Sequence, residues 1–103
     1  MSDEALWSRI ISELSSSGEE LQTRTELWFR TTAKRDSLFV DRAAENILSS
    51  NLSKPRIITK KDFLFVYSYY DRWVNGEKGV RKEVSMKSRN TTYIFALIER
   101  FAD

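Results

Sequence analysis

The stretch from Thr59 to Asn75, TKKDFLFVYSYYDRWVN, constrains the fold most strongly because it predicts a helix with one aromatic face. The apolar residues recur at steps of three and four, as on one side of an α-helix. They are Phe63, Val66, Tyr67, Tyr70, Trp73 and Val74. Thr59 can cap the first turn, Asp62 stands at the capping-box position, and Gly76 suits the C-terminal end. Such a helix must bury its aromatic face, so we expect it to cover a hydrophobic core.

Two further helices are predicted from the same periodicity. The first runs from Asp3 to Leu14, with Ser2 or Asp3 as its cap. The second runs from Arg89 to Phe101, with Ser88 as its cap. Its apolar stripe consists of Ile94, Leu97, Ile98 and Phe101. All three helices therefore have one side for a core.

Strands are predicted where the period changes to two. Polar and apolar residues alternate from Leu21 to Thr32, and Ser37 to Asp41 forms a second alternating run. The polar residues 33–36 between them predict an antiparallel hairpin with a four-residue loop. Residues 56–58, directly after Pro55, predict a third short strand.

The predicted fold class is α+β, in a single domain spanning residues 1–103. A small antiparallel sheet, with a hairpin at about 21–41 and a third strand near 56–58, packs with helices at about 3–14, 60–75 and 89–101. We expect the helices that contain Trp7 and Phe63 to cover one face of the sheet. Residues 42–50 predict a further short helix, and residues 80–85 fit either a short helix or an alternating strand.

The composition excludes several classes of chemistry. The chain contains neither cysteine nor histidine, which removes disulfides, thiolate metal sites and the commonest general base. We expect a non-enzymatic cytoplasmic protein without a cofactor, a metal or a membrane partner. The nearest approach to a Mg²⁺-dependent nuclease site is Asp41 with Glu45 four residues later, but isolated carboxylates are more often surface groups.

Positive charge is concentrated in residues 54–89. This segment holds 10 basic and 4 acidic residues, although the net charge of the whole chain is only +2. It predicts a surface that binds DNA or RNA through phosphate groups. The candidate residues are Lys54, Arg56, Lys60, Lys61, Lys78, Arg81, Lys82, Lys87, Arg89 and Asn90. The competing interpretation is a solvated surface that keeps the protein soluble.

Residues 76–101 resemble a helix-turn-helix. A short helix at 80–85, a turn at residues 86 and 87, and a helix that opens with Arg89 and Asn90 would place these two side chains at base edges. The competing interpretation is that residues 88–91 only cap a core helix.

A different class of function is a protein-protein interaction or oligomerisation module in a small bacterial or phage protein. Trp28, with Arg24 and Arg30 at even spacing, could lie on an outer sheet face and bind a protein pocket or a base. We favour instead that the first helix covers Trp28, since large aromatic residues are highly buried on average. No small-molecule ligand is evident from the sequence.

Overall fold

An antiparallel sheet carries helices on one of its faces. The computed structural model describes residues 2–44, 46, 48, 49, 52 and 54–102. In chain order, the elements are α1 (Asp3–Ser16), β1 (Glu19–Gln22), β2 (Trp28–Lys34), β3 (Ser37–Arg42), β4 (Arg56–Ile58), α2 (Lys60–Val74), α3 (Val80–Ser85) and α4 (Thr91–Phe101). The predicted α+β class is confirmed, and so are the strand at 56–58 and the three predicted helices.

The four strands of the sheet are neighbours in chain order, β1-β2-β3-β4, and each pairs antiparallel with the next. Side chains alternate between the two faces. The buried face, which meets the helices, is formed by Leu21, Phe29, Thr31, Ala33, Leu38, Val40 and Ile58. The opposite face is open and includes Trp28, Phe39 and Ile57. In the strand order, β1 and β4 are the two edges of the sheet.

The predicted long strand from Leu21 to Thr32 is wrong, because the chain turns back between β1 and β2. Glu26 adopts φ 66°, and the Thr23 amide donates to the Leu27 carbonyl at 2.9 Å. The Thr23 hydroxyl also accepts from the Leu27 amide at 3.2 Å. These local bonds close a turn within an alternating pattern. The loop after β2 is shorter than predicted, with two residues, and Arg35 at φ 58°.

The predicted helix at residues 42–50 is also wrong over the part that the structure describes. Arg42 ends β3, and residues 43, 44, 46, 48 and 49 are not helical, whereas 45, 47 and 50 lie outside the described residues. Glu20 on β1 holds this segment, since its carboxylate accepts from the amides of Ala44 at 2.6 Å and Asn46 at 3.1 Å.

The predicted N-terminal caps of α1 and α2 and the glycine at the end of α2 are confirmed, whereas α1 runs to Ser16, two residues further than predicted. Ser2 Oγ accepts from the Ala5 amide at 3.1 Å, and Thr59 Oγ1 accepts from the Asp62 amide at 3.2 Å. At the end of α2, Gly76 has φ 79°. Its amide donates to the Trp73 carbonyl, and the next amide donates to the Arg72 carbonyl, each at 3.0 Å, which is the Schellman arrangement.

Residues 80–85 form a helix, which decides between the two alternatives for this segment. The last helix begins at Thr91, two residues later than predicted, and Ser88 Oγ accepts from the Asn90 amide at 3.2 Å just before it. None of the helices that the structure describes is long and apolar enough to cross a membrane.

The core lies between the sheet and helices α1, α2 and α4. Trp7 and Phe63 have ring centroids 5.2 Å apart, and Phe29 meets Tyr93 edge-on at 5.0 Å. The predicted stripe of α2 is largely correct, because Phe63 and Val66 are buried and its three other aromatic residues are partly buried. Val74 is an exception with 49% of its surface exposed, since it lies in the last turn of the helix.

Candidate functional site

Three predicted cationic residues converge on one concave surface beside the edge strand β4. This cleft has a volume of about 380 Å³. Its described lining consists of Leu52, Lys54, Pro55, Arg56, Ile57, Arg89 and Asn90, and we call it the cationic cleft. No carboxylate occurs among these lining residues. Residues from β4 and from the connection between α3 and α4, which are distant in sequence, therefore form one basic surface.

Arg56 is held in place by its neighbours. One guanidinium nitrogen, Nη1, donates to the Arg89 carbonyl at 2.6 Å, and the guanidinium carbon lies 5.6 Å from the centre of the Tyr93 ring. Lys54 and Arg89 have exposed side chains. A fixed guanidinium loses little conformational entropy when it binds an anion, whereas the exposed side chains can adjust to one.

A second cleft, of about 290 Å³, lies beside the N-terminal turn of α2. Its described lining consists of Thr59, Lys61, Asp62, Phe65 and Lys87, and we call it the lysine cleft. The two clefts meet where the Asn90 side-chain nitrogen donates to Asp62 Oδ2 at 3.0 Å. Six of the ten predicted residues, five cations and Asn90, thus lie along adjoining clefts.

Lys60 and Arg81 are engaged elsewhere. The Lys60 ammonium group donates to the Glu4 carboxylate at 2.7 Å, and this bond lowers the pKa of the Glu4 carboxyl from its ordinary value. The Arg81 guanidinium donates to the Thr92 hydroxyl and lies 5.8 Å from the Phe95 ring centre. Burial lowers the pKa of Arg81 from its ordinary value, although arginine remains charged in proteins.

Lys78 and Lys82 are exposed but line neither cleft in the part of the chain that the structure describes. Lys78 lies in the turn before α3, and Lys82 lies on α3 itself. Segment 54–89 is therefore not one continuous basic patch.

Burial of α4 contradicts the helix-turn-helix interpretation. The helix buries Thr91 and every residue from Tyr93 to Ile98, and its exposed residues, Glu99 and Arg100, lie near its C-terminal end. Its N-terminal half therefore offers no exposed side to a DNA groove. Asn90 Nδ2 also donates to the Ile57 carbonyl at 3.3 Å, besides its bond to Asp62. The competing interpretation is correct in that α4 is a core helix, but its N-cap residue Asn90 makes no side-chain cap hydrogen bond.

The first helix does not cover Trp28, and that expectation is wrong. Trp28 is half-buried and pairs with Gln22 on the open face of the sheet, whereas the helices lie on the Phe29 side. Arg24 is in the turn before β2, where its guanidinium meets Glu99 and lies 4.3 Å from the centre of the Trp73 ring. Arg24 and Arg30 therefore do not flank Trp28 on one exposed surface.

The acidic candidates do not assemble among the described residues. No group of three carboxylates that could hold a metal ion occurs in the described part of the chain. Asp41 is exposed at the end of β3, and Glu45 lies outside the described residues.

Phe65 is a lining residue that the sequence interpretation did not select. It was outside the predicted buried stripe of α2, yet it is partly buried and borders the lysine cleft. Lys61, Phe65 and Tyr69 follow at steps of four residues. This spacing is a signal by which the sequence could have revealed a second, basic and aromatic side of the helix.

The chain matches no protein-family model, and neither a curated protein nor a solved structure is significantly similar to it.

We expect Asn90→Ala to lower the free energy of unfolding by about 1 kcal/mol. The substitution removes the bonds to Asp62 and to the Ile57 carbonyl, which tie α2 and β4 to the start of α4. The loss stays moderate because Asn90 Oδ1 is buried without a partner among the described residues, and this cost disappears with the side chain. Urea unfolding checks the value, and Lys82→Ala, at an exposed residue of α3, is the control.

Proposed function

We propose that this domain binds nucleic acid and that its two clefts hold phosphate groups of the backbone. The observation that carries the proposal is the convergence of Lys54, Arg56 and Arg89 in one cleft whose described lining has no carboxylate. Cations that are gathered without counter-charges attract a polyanion and release its condensed counterions. A phosphodiester backbone supplies such negative charge at regular intervals.

The lysine cleft extends this surface by two further cations, Lys61 and Lys87. Its one carboxylate, on Asp62, accepts a hydrogen bond from Asn90, and its single negative charge leaves the cleft with a net charge of +1 over these residues. A backbone that follows both clefts would meet the guanidinium and ammonium groups in succession. Contacts of this kind position a nucleic acid but do not read its sequence.

The proposed role is binding rather than catalysis. The chain has no histidine and no cysteine, and the polar side chains in the described lining of the cationic cleft belong to arginine, lysine and asparagine. These groups hold an anion and stabilise its charge, but at neutral pH arginine and exposed lysine do not serve as a general base.

The proposal predicts that Arg89→Gln reduces the salt dependence of binding. The Arg89 side chain is exposed in the cationic cleft, so the substitution removes one phosphate contact while leaving the backbone carbonyl that holds Arg56. The slope of log K against log salt should fall by about 1 unit in magnitude. Fluorescence anisotropy with a labelled oligonucleotide, between about 50 and 200 mM salt, measures this slope.

Arg100→Gln is the matched control because it makes the same change in net charge at the opposite edge of the sheet. Arg100 pairs with Glu19 on β1, away from β4. Its substitution should leave the slope unchanged. Equal effects of the two substitutions would mean that only the overall charge matters, and a wild-type protein that binds no DNA or RNA at low salt would refute the proposal.

A second candidate function is self-association through the open face of the sheet. Phe39 and Ile57 are cross-strand partners on this face, and Ile57 has 55% of its surface exposed. Phe39 is partly buried, and an apolar pair of this kind that is in part exposed favours a protein contact. Sedimentation over a range of protein concentrations tests this candidate, and a constant mass of one chain would remove it.

A further inference from the structure

One side of α2 combines two aromatic rings with basic residues. Lys61, Phe65, Tyr69 and Arg72 are spaced by four, four and three residues, so they lie along one side of the helix. Phe65 and Tyr69 are both partly buried, and their ring centroids are 5.3 Å apart in an edge-to-face arrangement. This side differs from the one that places Phe63 and Val66 in the core.

The two rings are not equivalent. The Arg72 guanidinium lies 5.4 Å from the centre of the Tyr69 ring, so Tyr69 already has a cation on it. Phe65 borders the open space of the lysine cleft, together with Lys61 and Lys87. Phe65 is thus the ring that a ligand can reach, and Tyr69 supports it from the side.

We propose that Phe65 stacks on a base of a single-stranded nucleic acid whose backbone phosphates are held by Lys61, Lys87 and the cationic cleft. This inference rests on the proposed function and specifies its ligand. Stacking on an aromatic ring does not require a particular base, because every base presents a π-face. Tyr69 is a positioning residue, since its edge-to-face contact fixes the orientation of the Phe65 ring.

The shape of the surface favours a single strand over a duplex. In a duplex the bases are stacked on each other and only their edges face the grooves, so the Phe65 ring could meet no base face. Groove reading needs an exposed element that enters the duplex, and α4 is buried. Two small concavities beside an accessible ring, by contrast, match the combination of basic groove and aromatic side chain that binds single strands.

The first test uses the wild-type protein and changes the probe, because an oligonucleotide can be made without its bases. We would compare oligothymidylate of about 16 nucleotides with an abasic oligomer of the same length and charge, and with a duplex, by anisotropy. Stacking predicts that the abasic oligomer binds about tenfold more weakly than oligothymidylate at the same salt concentration, although the salt slopes agree. Equal affinities for the two single strands would overturn the inference and leave the proposed function intact.

The second test compares Phe65→Leu with Phe65→Tyr. Leucine keeps an apolar side chain against the helix but has no π-face, whereas tyrosine keeps the ring. Phe65→Leu should weaken binding to oligothymidylate by about fivefold or more, with an unchanged salt slope and unchanged binding to the abasic oligomer. Phe65→Tyr should bind oligothymidylate like the wild type.

Circular dichroism and thermal unfolding show whether each variant is folded. If Phe65→Leu binds oligothymidylate as well as Phe65→Tyr does, Phe65 is not a stacking residue. If the wild-type protein binds none of the probes at low salt, both the inference and the proposed function fail. If it does bind, the salt slope of Arg89→Gln tests the phosphate contacts separately from stacking on Phe65.

Discussion

Phe63→Ala is expected to lower the free energy of unfolding by about 3 to 5 kcal/mol. The Phe63 side chain has no exposed surface and lies between Trp7 of α1 and Tyr67 of its own helix, with ring centroids 5.2 and 6.2 Å away. Truncation removes the buried ring and leaves a cavity between α1 and α2 that rigid helices cannot fill. Urea unfolding, followed by circular dichroism and by tryptophan fluorescence, measures the change.

Met86→Ala is the control for this substitution, because Met86 has 79% of its surface exposed at the end of α3. Its truncation should change the free energy of unfolding by less than about 0.5 kcal/mol. A loss below about 1 kcal/mol for Phe63→Ala would place the side chain outside a well-packed core.

Gly18→Ala should destabilise the protein by about 2 to 3 kcal/mol, by overpacking rather than by backbone strain. Gly18 lies between α1 and β1, where an added Cβ atom would be 2.4 Å from Thr32 Cγ2 and 2.9 Å from the Thr31 carbonyl oxygen. The threonine methyl group could move, but the carbonyl belongs to the central strand β2, so the chain at residue 18 must shift. Thermal and urea unfolding measure the effect.

A double variant separates the two contacts. Thr32→Ser removes Cγ2, the closest atom, so the combination of Gly18→Ala with Thr32→Ser should recover part of the lost stability but not all of it. Ser17→Ala, at an exposed neighbouring residue, serves as the control. If Gly18→Ala were as stable as Ser17→Ala, the close approach of residue 18 to β2 would be refuted.

Hydrophobic periodicity identified α1 and α2 well because each buries a defined side, and it also found α4, which buries most of its residues. The strands were harder, because an alternating pattern does not reveal where a chain turns back. Thr23 and Leu27 keep the alternation through the turn, and the turn is closed by the Thr23 hydroxyl and by Glu26 at positive φ without a glycine. Residues 42–50 have a helix-like composition, but the carboxylate of Glu20 binds their backbone amides instead.

Of the candidate site, the sequence predicted which types of residue are present but not which of them come together. The excess of basic residues in segment 54–89 was visible, but which of them converge depends on tertiary contacts. Arg56 and Arg89 lie 33 positions apart and meet because the Arg89 carbonyl accepts a bond from Arg56. Lys60 instead forms an ion pair with Glu4, 56 positions away. The spacing of Phe65 from Lys61 and Tyr69 within one helix, by contrast, could be seen in the sequence.

The placement of α4 joins parts of the chain that are distant in sequence. Each strand pairs with its neighbour in the chain, so the sheet can form from local hairpins with little loop-closure entropy. Docking of α4 is different, since its ion pairs with Arg24 and Glu19 join residues 75 and 81 positions apart. Until α4 docks, the apolar face of the sheet is only partly covered and can associate with other chains. The helix that the sequence suggested as a DNA reader is thus, together with α1, part of the cover over the apolar face of the sheet.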